Sequence, residues 1–196
     1  MKKKNFIIAI DGMSAAMKTS TANRLVDKLQ KNGITANKIS CDDFFLPREL
    51  RSEARIFEPG GNIHYERMKE EVINPLLSGQ DVKYRKFDCT VMDFGAWTEV
   101  PFCQVSVIEG AYALNPFFGK YYDLSVFMKV SSQEQIQRIK HRNGDSTMFE
   151  QKWIPLEQRY FKHFNIEETA DFVVDTTEYD SEQTADLLYQ KMRRFL

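Results

Sequence analysis

The amino-acid sequence predicts an α/β fold, with a five-stranded parallel sheet and helices on both of its faces. Short apolar runs alternate with helix-like segments along the 196 residues, which is typical of strand–helix–strand units. The first apolar run, residues 6–10, is continuous, as expected for a strand covered on both faces. The length fits one domain of about 100–200 residues, so residues 1–196 are expected to fold as a single unit.

The strands are predicted from apolar runs, and the helices from apolar residues at a spacing of three to four. The predicted strands are residues 6–10, 36–41, 104–109, 124–130 and 172–174, and the second is the least apolar. The predicted helices are residues 18–32, 64–78, 131–142 and 181–195. Gly33 follows the first helix in the position of a C-terminal cap, and Pro75 is expected to kink or end the second. Residues 42–63 and 82–103 are irregular, and such segments often carry function.

The overall charge gives no electrostatic case for binding nucleic acid or an anionic membrane. Twenty-seven Lys and Arg residues balance 28 Asp and Glu residues, for a net charge of −1. The three cysteines, Cys41, Cys89 and Cys103, form no CxxC pair and share no metal-ligand spacing with the histidines. We therefore expect neither a disulfide scaffold nor a zinc site, and a reducing, cytoplasmic location.

The N-terminal lysines and the apolar run that follows them imitate a secretory signal. That run is five residues long before Asp11 interrupts it, whereas a signal needs about 7–15 apolar residues. No stretch approaches the roughly 18 apolar residues of a membrane span. A soluble chain is therefore expected.

The first strand leads into the sequence GMSAAMKTS, which then begins a helix, and this context favours a phosphate-binding loop. Backbone N–H groups at the helix N-terminus would face the phosphates, Lys18 would reach the β- and γ-phosphates, and Thr19 would offer its hydroxyl to Mg²⁺. The candidate nucleotide-binding residues are Gly12, Met13, Ser14, Ala15, Ala16, Met17, Lys18, Thr19 and Ser20. The alternative is an ordinary turn followed by a solvated lysine.

Met17 stands where the full pattern G-x-x-x-x-G-K-[ST] has its second glycine. A side chain at this position must point away from the nucleotide, or it crowds the backbone that the phosphate approaches. We therefore predict that ATP binds more weakly than it would with glycine at position 17.

Five segments in order resemble the uridine kinase-like nucleoside kinases: IAIDGMSAAMKTSTANRL, CDDFFLP, GGNIHYERMKEEVINPLLSG, VIEGAYAL and RIKHRNG. The resemblance covers residues 5–175. It implies the three-layer P-loop NTPase fold that this family shares with phosphoribulokinase, pantothenate kinase and nicotinamide riboside kinase, with a small helical lid at about residues 138–160. It also implies ATP and Mg²⁺ as cofactors, transfer of the γ-phosphoryl group to a sugar hydroxyl, and a homo-oligomer in some members.

The resemblance implies roles for single residues. Asp42 matches the acid that accepts the proton of the attacking hydroxyl, although its neighbour Asp43 could take that role. Glu109 resembles the second acidic motif and would hold Mg²⁺ together with Thr19. The implied substrate-binding residues are Asp42, Phe45, His64, Asp88 and Glu109. His64 replaces a family aspartate and Met92 lies near the position of a base-reading histidine, so uridine specificity is not implied.

Arg138 and Arg142 lie four residues apart and share a face of a predicted helix. By resemblance this helix feeds the lid, and its arginines would stabilise charge on the transferring phosphate. The alternative is a solvated basic face. Arg159 is a more remote candidate for the same role, and Trp153 is expected to pack the lid-side helix rather than contact a ligand.

The leading hypothesis is an ATP- and Mg²⁺-dependent kinase that phosphorylates a uridine- or cytidine-like nucleoside or a similar small metabolite. One alternative keeps the enzyme but changes the acceptor to pantothenate, a sugar phosphate or nicotinamide riboside. Another is a nucleotide-binding protein without efficient catalysis, which the altered loop favours. Retention of the acceptor-side acid favours the enzyme, because a pure binding protein does not need it.

Overall fold

The computed structural model describes residues 5–195. The strands are β1 Phe6–Gly12, β2 Ala36–Ser40, β3 Val82–Asp88, β4 Asp93–Val100, β5 Val105–Glu109, β6 Leu124–Lys129 and β7 Phe172–Asp175. The helices are α1 Lys18–Lys31, α2 Glu53–Phe57, α3 Tyr65–Met68, α4 Asn74–Ser78, α5 Ser132–Asn143, α6 Ile154–Phe164, α7 Ile166–Thr169 and α8 Ser181–Met192.

Five strands form a parallel sheet in the order β2-β5-β1-β6-β7, which confirms the predicted fold class. The central strand β1 pairs with β5 on one side and with β6 on the other, so that Ile8 lies between Val107 and Leu124. All seven residues of β1 are buried. This explains its continuous apolar run, because a central strand with helices on both faces has no solvent-facing side.

Alternate residues of β1 supply two separate hydrophobic cores. Ile8 and Ile10 face the core built with α1 and α8, where Leu25 and Leu188 are fully buried. Ile7 and Ala9 face the opposite core, to which α3, α4, α6 and α7 contribute. The period of two along each strand therefore divides the apolar residues between the two helical layers.

Two prolines lie within helical segments, and each follows a π-helical turn. Pro75 occupies the first turn of α4 after the π turn Lys69–Ile73, and Pro155 occupies the first turn of α6 after the π turn Phe149–Trp153. A proline has no N–H and clashes with the carbonyl four residues earlier, so the wider turn accommodates it. The predicted helix at residues 64–78 therefore continues through Pro75 instead of ending there.

Residues 82–103, expected to be irregular, instead contain an antiparallel hairpin of β3 and β4 outside the main sheet. Helix α5 ends at Gly144, which has a left-handed conformation, and the chain then returns through the π turn into α6. The predicted lid at about residues 138–160 corresponds to this helical hairpin. Within residues 5–195, none of the helices is long and apolar enough to cross a membrane.

Candidate active site

A cleft of about 820 Å³ lies where β1, β2 and β5 end. Residues 14–20 line one side of it, and the turn after β2 and the β3–β4 hairpin line another. Helices α5 and α6 contribute the remaining wall. The carboxyl edge of a parallel sheet is where α/β folds bind ligands, so this cleft is the candidate active site.

The phosphate loop, residues 12–20, begins at a position that only glycine fits. Gly12 has φ of +144°, and a Cβ atom there would lie 2.1 Å from the carbonyl oxygen of Met128. The next N–H group, that of Met13, donates to the same carbonyl at 3.0 Å. The loop is thus pressed against β6 before it turns into α1, whose first N–H groups lack partners within the helix.

Lys18 and Thr19 lie at the start of α1, on the cleft. The Nζ atom of Lys18 donates to the carbonyl oxygens of Gly12 and Met13, at 2.7 and 2.8 Å, so the side chain folds back over the loop. The hydroxyl of Thr19 donates to Oε2 of Glu109 at 3.0 Å. An ammonium group and a hydroxyl are therefore fixed on the cleft face of the loop, where phosphates and a metal ion would need them.

Met17 is the residue immediately before α1, and its backbone is left-handed, with φ of +58°. Its half-buried side chain lines the cleft. A left-handed backbone disfavours every residue except glycine, by about 1–2 kcal/mol. Met17 thus has the left-handed backbone conformation that glycine adopts readily, but its side chain lies on the face of the loop that a nucleotide would approach.

Thr19 and Glu109, the two predicted metal ligands, are in direct contact. Glu109 is buried at the end of β5, burial raises the pKa of its carboxyl group, and its Oε1 atom has no hydrogen-bond partner among residues 5–195. In that part of the chain no three His, Cys, Asp and Glu side chains group as metal ligands. One carboxylate and one hydroxyl nevertheless fit Mg²⁺, which keeps several waters and takes further ligands from phosphates.

Asp42 and Asp43 follow β2 in one 3₁₀ turn, and the structure separates their roles. The side chain of Asp42 opens into the cleft, whose walls raise its pKa by desolvation while nearby Lys18 opposes that shift. Asp43 instead accepts a hydrogen bond from the hydroxyl of Tyr84 at 2.7 Å, and lies 3.7 Å from Nζ of Lys86. Of the two acids, Asp42 is therefore the one that lines the cleft.

Three aromatic rings form one side of the cleft, here called the aromatic wall: Phe45, Phe87 and Trp153. The ring centroid of Phe45 lies 6.1 Å from that of Phe87 and 6.5 Å from that of Trp153. Trp153 thus faces the cleft, contrary to the expectation that it only packs a helix. Met92, in the turn of the hairpin, also lines the cleft.

Arg138 and Arg142, the two arginines of the predicted lid, both line the cleft, but their surroundings differ. Arg138 donates to the carbonyl oxygens of Ala15 and Thr176 and forms an ion pair with Glu134, so it ties α5 to the phosphate loop. Arg142 lies with its guanidinium 5.4 Å from the ring centroid of Phe149 and has no carboxylate within 4 Å among residues 5–195. Arg142 is therefore the freer of the two to meet a phosphate.

Two of the predicted substrate-binding residues do not line the cleft in the described part of the chain: His64 and Asp88. Asp88 accepts hydrogen bonds from the N–H and the hydroxyl of Thr90, at 2.8 and 2.6 Å, and so organises the hairpin turn. His64 precedes α3, where its N–H donates to the carbonyl of Phe44 and burial lowers the pKa of its imidazole.

Several residues of this region carry no motif signal that singled them out. Asp11 is fully buried and accepts hydrogen bonds from the N–H groups of Gly12, Tyr112 and Leu114 and from the hydroxyl of Tyr160. The sequence feature that could have indicated Asp11 is an acidic residue at the end of a buried apolar strand, a position that Glu109 also has.

Glu157 is a second such residue, and it joins α6 to the phosphate loop. Its carboxylate accepts the N–H of Ser14 at 2.9 Å and the hydroxyl of Ser14 at 2.5 Å, and burial raises its pKa. Arg159, on the same helix, donates to the carbonyl of Phe57 and does not line the cleft.

No protein-family model matches the sequence, and no curated protein matches it. Solved structures do match. One is described as a possible uridine kinase from Bacillus stearothermophilus, with a TM-score of 0.68 and 21% identity over 87% of this chain and 89% of that one. D-glycerate 3-kinase from Cryptococcus neoformans gives a TM-score of 0.61 at 15% identity, covering 90% of this chain and 88% of that one.

Shikimate kinase from Acinetobacter baumannii matches over 98% of this chain and 96% of its own, with a TM-score of 0.54 and 17% identity. These proteins differ in the acceptor that their names give, and their identities to this chain are low. What they share with it is the parallel sheet with its flanking helices. The chain has the fold of the P-loop kinases.

Proposed function

We propose that the protein is an ATP- and Mg²⁺-dependent kinase that transfers the γ-phosphoryl group to a hydroxyl of a nucleoside or a similar small metabolite. The observation that carries this proposal is the placement of Lys18, Thr19, Glu109 and Asp42 on one cleft. The first three are the groups that hold a nucleotide and its metal, whereas Asp42 has no role in a site that only binds a nucleotide. The uridine kinase-like fold neighbour supports the same reaction class.

The residues of the chain would act by positioning and by neutralising charge. Lys18 would leave the loop carbonyls that it now contacts and bind the phosphates. Asp42 would accept a hydrogen bond from the acceptor hydroxyl and orient it in line with the γ-phosphate. Arg142 would cover the transferring group from the lid. Mg²⁺, held through Thr19 and Glu109, would neutralise phosphate charge when bound.

The acceptor side supports a planar or partly apolar substrate, because the aromatic wall borders it. Nucleosides fit this description, and so does nicotinamide riboside. Pantothenate and sugar phosphates remain alternative acceptors. The neighbouring structures include kinases named for glycerate and for shikimate, so the fold accommodates several acceptors.

The first test is a calorimetric titration with Mg²⁺–ATP. We expect saturable binding by the wild type and at least about tenfold weaker binding by Lys18→Ala, because the ammonium group supplies charge-assisted contacts to the phosphates. Lys140→Ala, on the exposed side of α5, is the control and should bind as the wild type does. Equal affinity in Lys18→Ala and the wild type would contradict the assignment of the loop.

The second test measures ATP consumption across a panel of acceptors. With any acceptor that responds, Asp42→Asn should lower kcat by about 10²–10⁴-fold, since general-base and orienting residues contribute that much. Asp43→Asn is the matched control, because Asp43 faces Tyr84, and its kcat should stay close to that of the wild type. A larger loss in Asp43→Asn would reverse the assignment.

A nucleotide-binding protein without efficient catalysis is the second candidate. It is favoured by Met17, whose side chain lines the cleft at the loop position where phosphate approaches. Saturable Mg²⁺–ATP binding without turnover of any acceptor, and unchanged binding in Asp42→Asn, would support this candidate.

A further inference from the structure

Arg51 is a cation of the cleft that the proposed reaction leaves without a role. It follows the short 3₁₀ turn Arg48–Leu50, and its side chain lines the cleft beside the aromatic wall. The Nε atom donates to the carbonyl of Leu46 at 2.7 Å, and the guanidinium carbon lies 5.8 Å from the ring centroid of Phe87. These two contacts fix the stem and the plane of the guanidinium.

The charge of Arg51 is not balanced by the protein. Among residues 5–195, no carboxylate lies within 4 Å of its guanidinium, whereas Arg55, Arg67 and Arg138 each have one. Burial lowers the pKa of Arg51, and the opposing influence comes from the thiol of Cys89 rather than from a carboxylate. A guanidinium held in place in a cleft, with no acid beside it, is suited to an anion supplied by a ligand.

The acids of the cleft lie elsewhere. Lys18 lowers the pKa values of three acids of the cleft: Asp42, Glu109 and Glu157. Arg51 is not among the groups that lower the pKa of any of these acids. The charges of Asp42 and Arg51 shift the pKa of Cys89 in opposite directions, and all three side chains line the cleft. A ligand that contacts Asp42 therefore occupies the same cleft that the guanidinium of Arg51 lines.

We propose that the acceptor carries an anionic group, a carboxylate or a phosphate monoester, and that Arg51 binds this group while Asp42 orients the hydroxyl to be phosphorylated. The proposal rests on the proposed kinase function and narrows its substrate class. A neutral nucleoside would leave the guanidinium without a partner in a site that the bound ligand closes to water, which is costly for a charged group.

Three pairs of probes test the proposal, each matching a neutral acceptor with an anionic counterpart: uridine with orotidine, glycerol with D-glycerate, and D-ribose with D-ribose 5-phosphate. The first two anionic probes carry carboxylates and the third a phosphate, so the pairs distinguish the two anions. In ATP turnover, the anionic member of at least one pair should have the higher kcat/KM, by about 10- to 100-fold. Preference for the neutral member in every pair that reacts would overturn the proposal.

The variant Arg51→Met keeps an apolar stem against Phe87 but removes the charge. For the anionic probe, kcat/KM should fall by about 10- to 100-fold, mainly through KM, and Arg51→Lys should restore part of it. Turnover of the neutral partner should not fall and should rise to the extent that the unpaired guanidinium had opposed its binding. Arg48→Met, in the same turn but exposed and outside the cleft, is the control. An equal loss for both members of a pair would show that Arg51 only supports the turn.

Binding without turnover separates the two proposals. Calorimetry with each anionic probe, in the presence of a non-hydrolysable ATP analogue, should show binding that Arg51→Met loses. Binding that depends on Arg51 without any ATP turnover would leave the anion site standing and refute the kinase. If neutral acceptors are phosphorylated but no anionic probe binds at about 10 mM, the kinase function would stand and the anion site would be refuted.

Discussion

At the scale of single residues, three buried carboxyl groups surround the phosphate loop, and they do different work. Asp11 uses both oxygens on hydrogen bonds within the protein, and Glu157 uses both on Ser14. Glu109 keeps one oxygen without a hydrogen bond in the described chain, although Nζ of Lys38 lies 3.8 Å from that oxygen. Burial raises the pKa of all three. A buried acceptor that the protein leaves unsatisfied is costly, so Glu109 is the one that a ligand would complete.

Met17→Gly is the sharpest test of the altered loop. Glycine adopts the left-handed backbone without strain and removes the side chain from the cleft. We expect the Kd for Mg²⁺–ATP to fall, by up to about tenfold, as removal of 1.4 kcal/mol of crowding in the nucleotide-bound state would give. Calorimetric titration measures this.

Met92→Gly is the matched control for Met17→Gly. Met92 also has a left-handed backbone, with φ of +59°, and also lines the cleft, but it belongs to the hairpin turn. It should leave the affinity for Mg²⁺–ATP unchanged. If Met17→Gly binds no tighter than the wild type, the methionine does not obstruct the nucleotide.

Sequence patterns identified single residues only where the chemistry is local. Lys18 and Thr19 begin the helix that a short loop connects to β1, and Glu109 ends β5, so their positions on the cleft follow from the strand ends. His64 precedes α3 and Asp88 ends β3. The path of the chain at these two positions depends on how α3 and the hairpin pack, and no local sequence pattern specifies that packing. Arg51 was missed for the same reason, because an arginine in an irregular segment is ordinarily solvated.

At the scale of elements, α6 is attached to the phosphate loop through Glu157. A carboxylate near the loop repels the phosphates of ATP unless it is protonated. Because burial already raises the pKa of Glu157, nucleotide binding should raise it further and take up a proton. We therefore expect the affinity for Mg²⁺–ATP to fall as pH rises through the pKa of Glu157.

Glu157→Gln removes this titration and retains groups that can hydrogen-bond Ser14. Its affinity for Mg²⁺–ATP should change less with pH than that of the wild type, and it should be tighter at high pH. Calorimetry in two buffers of different ionisation enthalpy reports the protons taken up directly. Glu150→Gln, on the exposed surface of the preceding turn, is the control. Equal proton uptake in Glu157→Gln and the wild type would assign the titration to another group.

The elements of the main sheet followed from the sequence, whereas the hairpin did not. Four of the five parallel strands are largely apolar, because helices cover both faces of the sheet, whereas β2 at the sheet edge includes Asn37, Lys38 and Ser40. Strand β3 alternates buried residues with more exposed ones, whereas β4 is exposed or half-buried except at Val100 and exposes Trp97. Such a half-exposed pair has little continuous hydrophobicity, and its bulge near Lys86 disrupts the period of two.

At the scale of the whole molecule, Asp11 joins segments that are far apart in the chain. Its partners Tyr112, Leu114 and Tyr160 lie 101, 103 and 149 residues away. Tyr112 has a left-handed backbone, with φ of +76°, and lines the cleft, so Asp11 also holds strained backbone at the site. The centre of the fold and the floor of the cleft thus depend on one buried carboxyl group.

Asp11→Ala should therefore destabilise the whole protein. Three N–H groups and one hydroxyl lose their buried acceptor, and each group left unsatisfied costs about 1–3 kcal/mol. Because the structure can partly relax, the free energy of unfolding should fall by about 3–5 kcal/mol in total. Urea unfolding followed by both tryptophan fluorescence and circular dichroism measures the loss. Tyr160→Phe removes one of the four donors and should cost about 1 kcal/mol, so it tests the network even if Asp11→Ala does not fold. A loss below 1 kcal/mol in Asp11→Ala would mean that water replaces the carboxylate, and that the three segments are held together by packing alone.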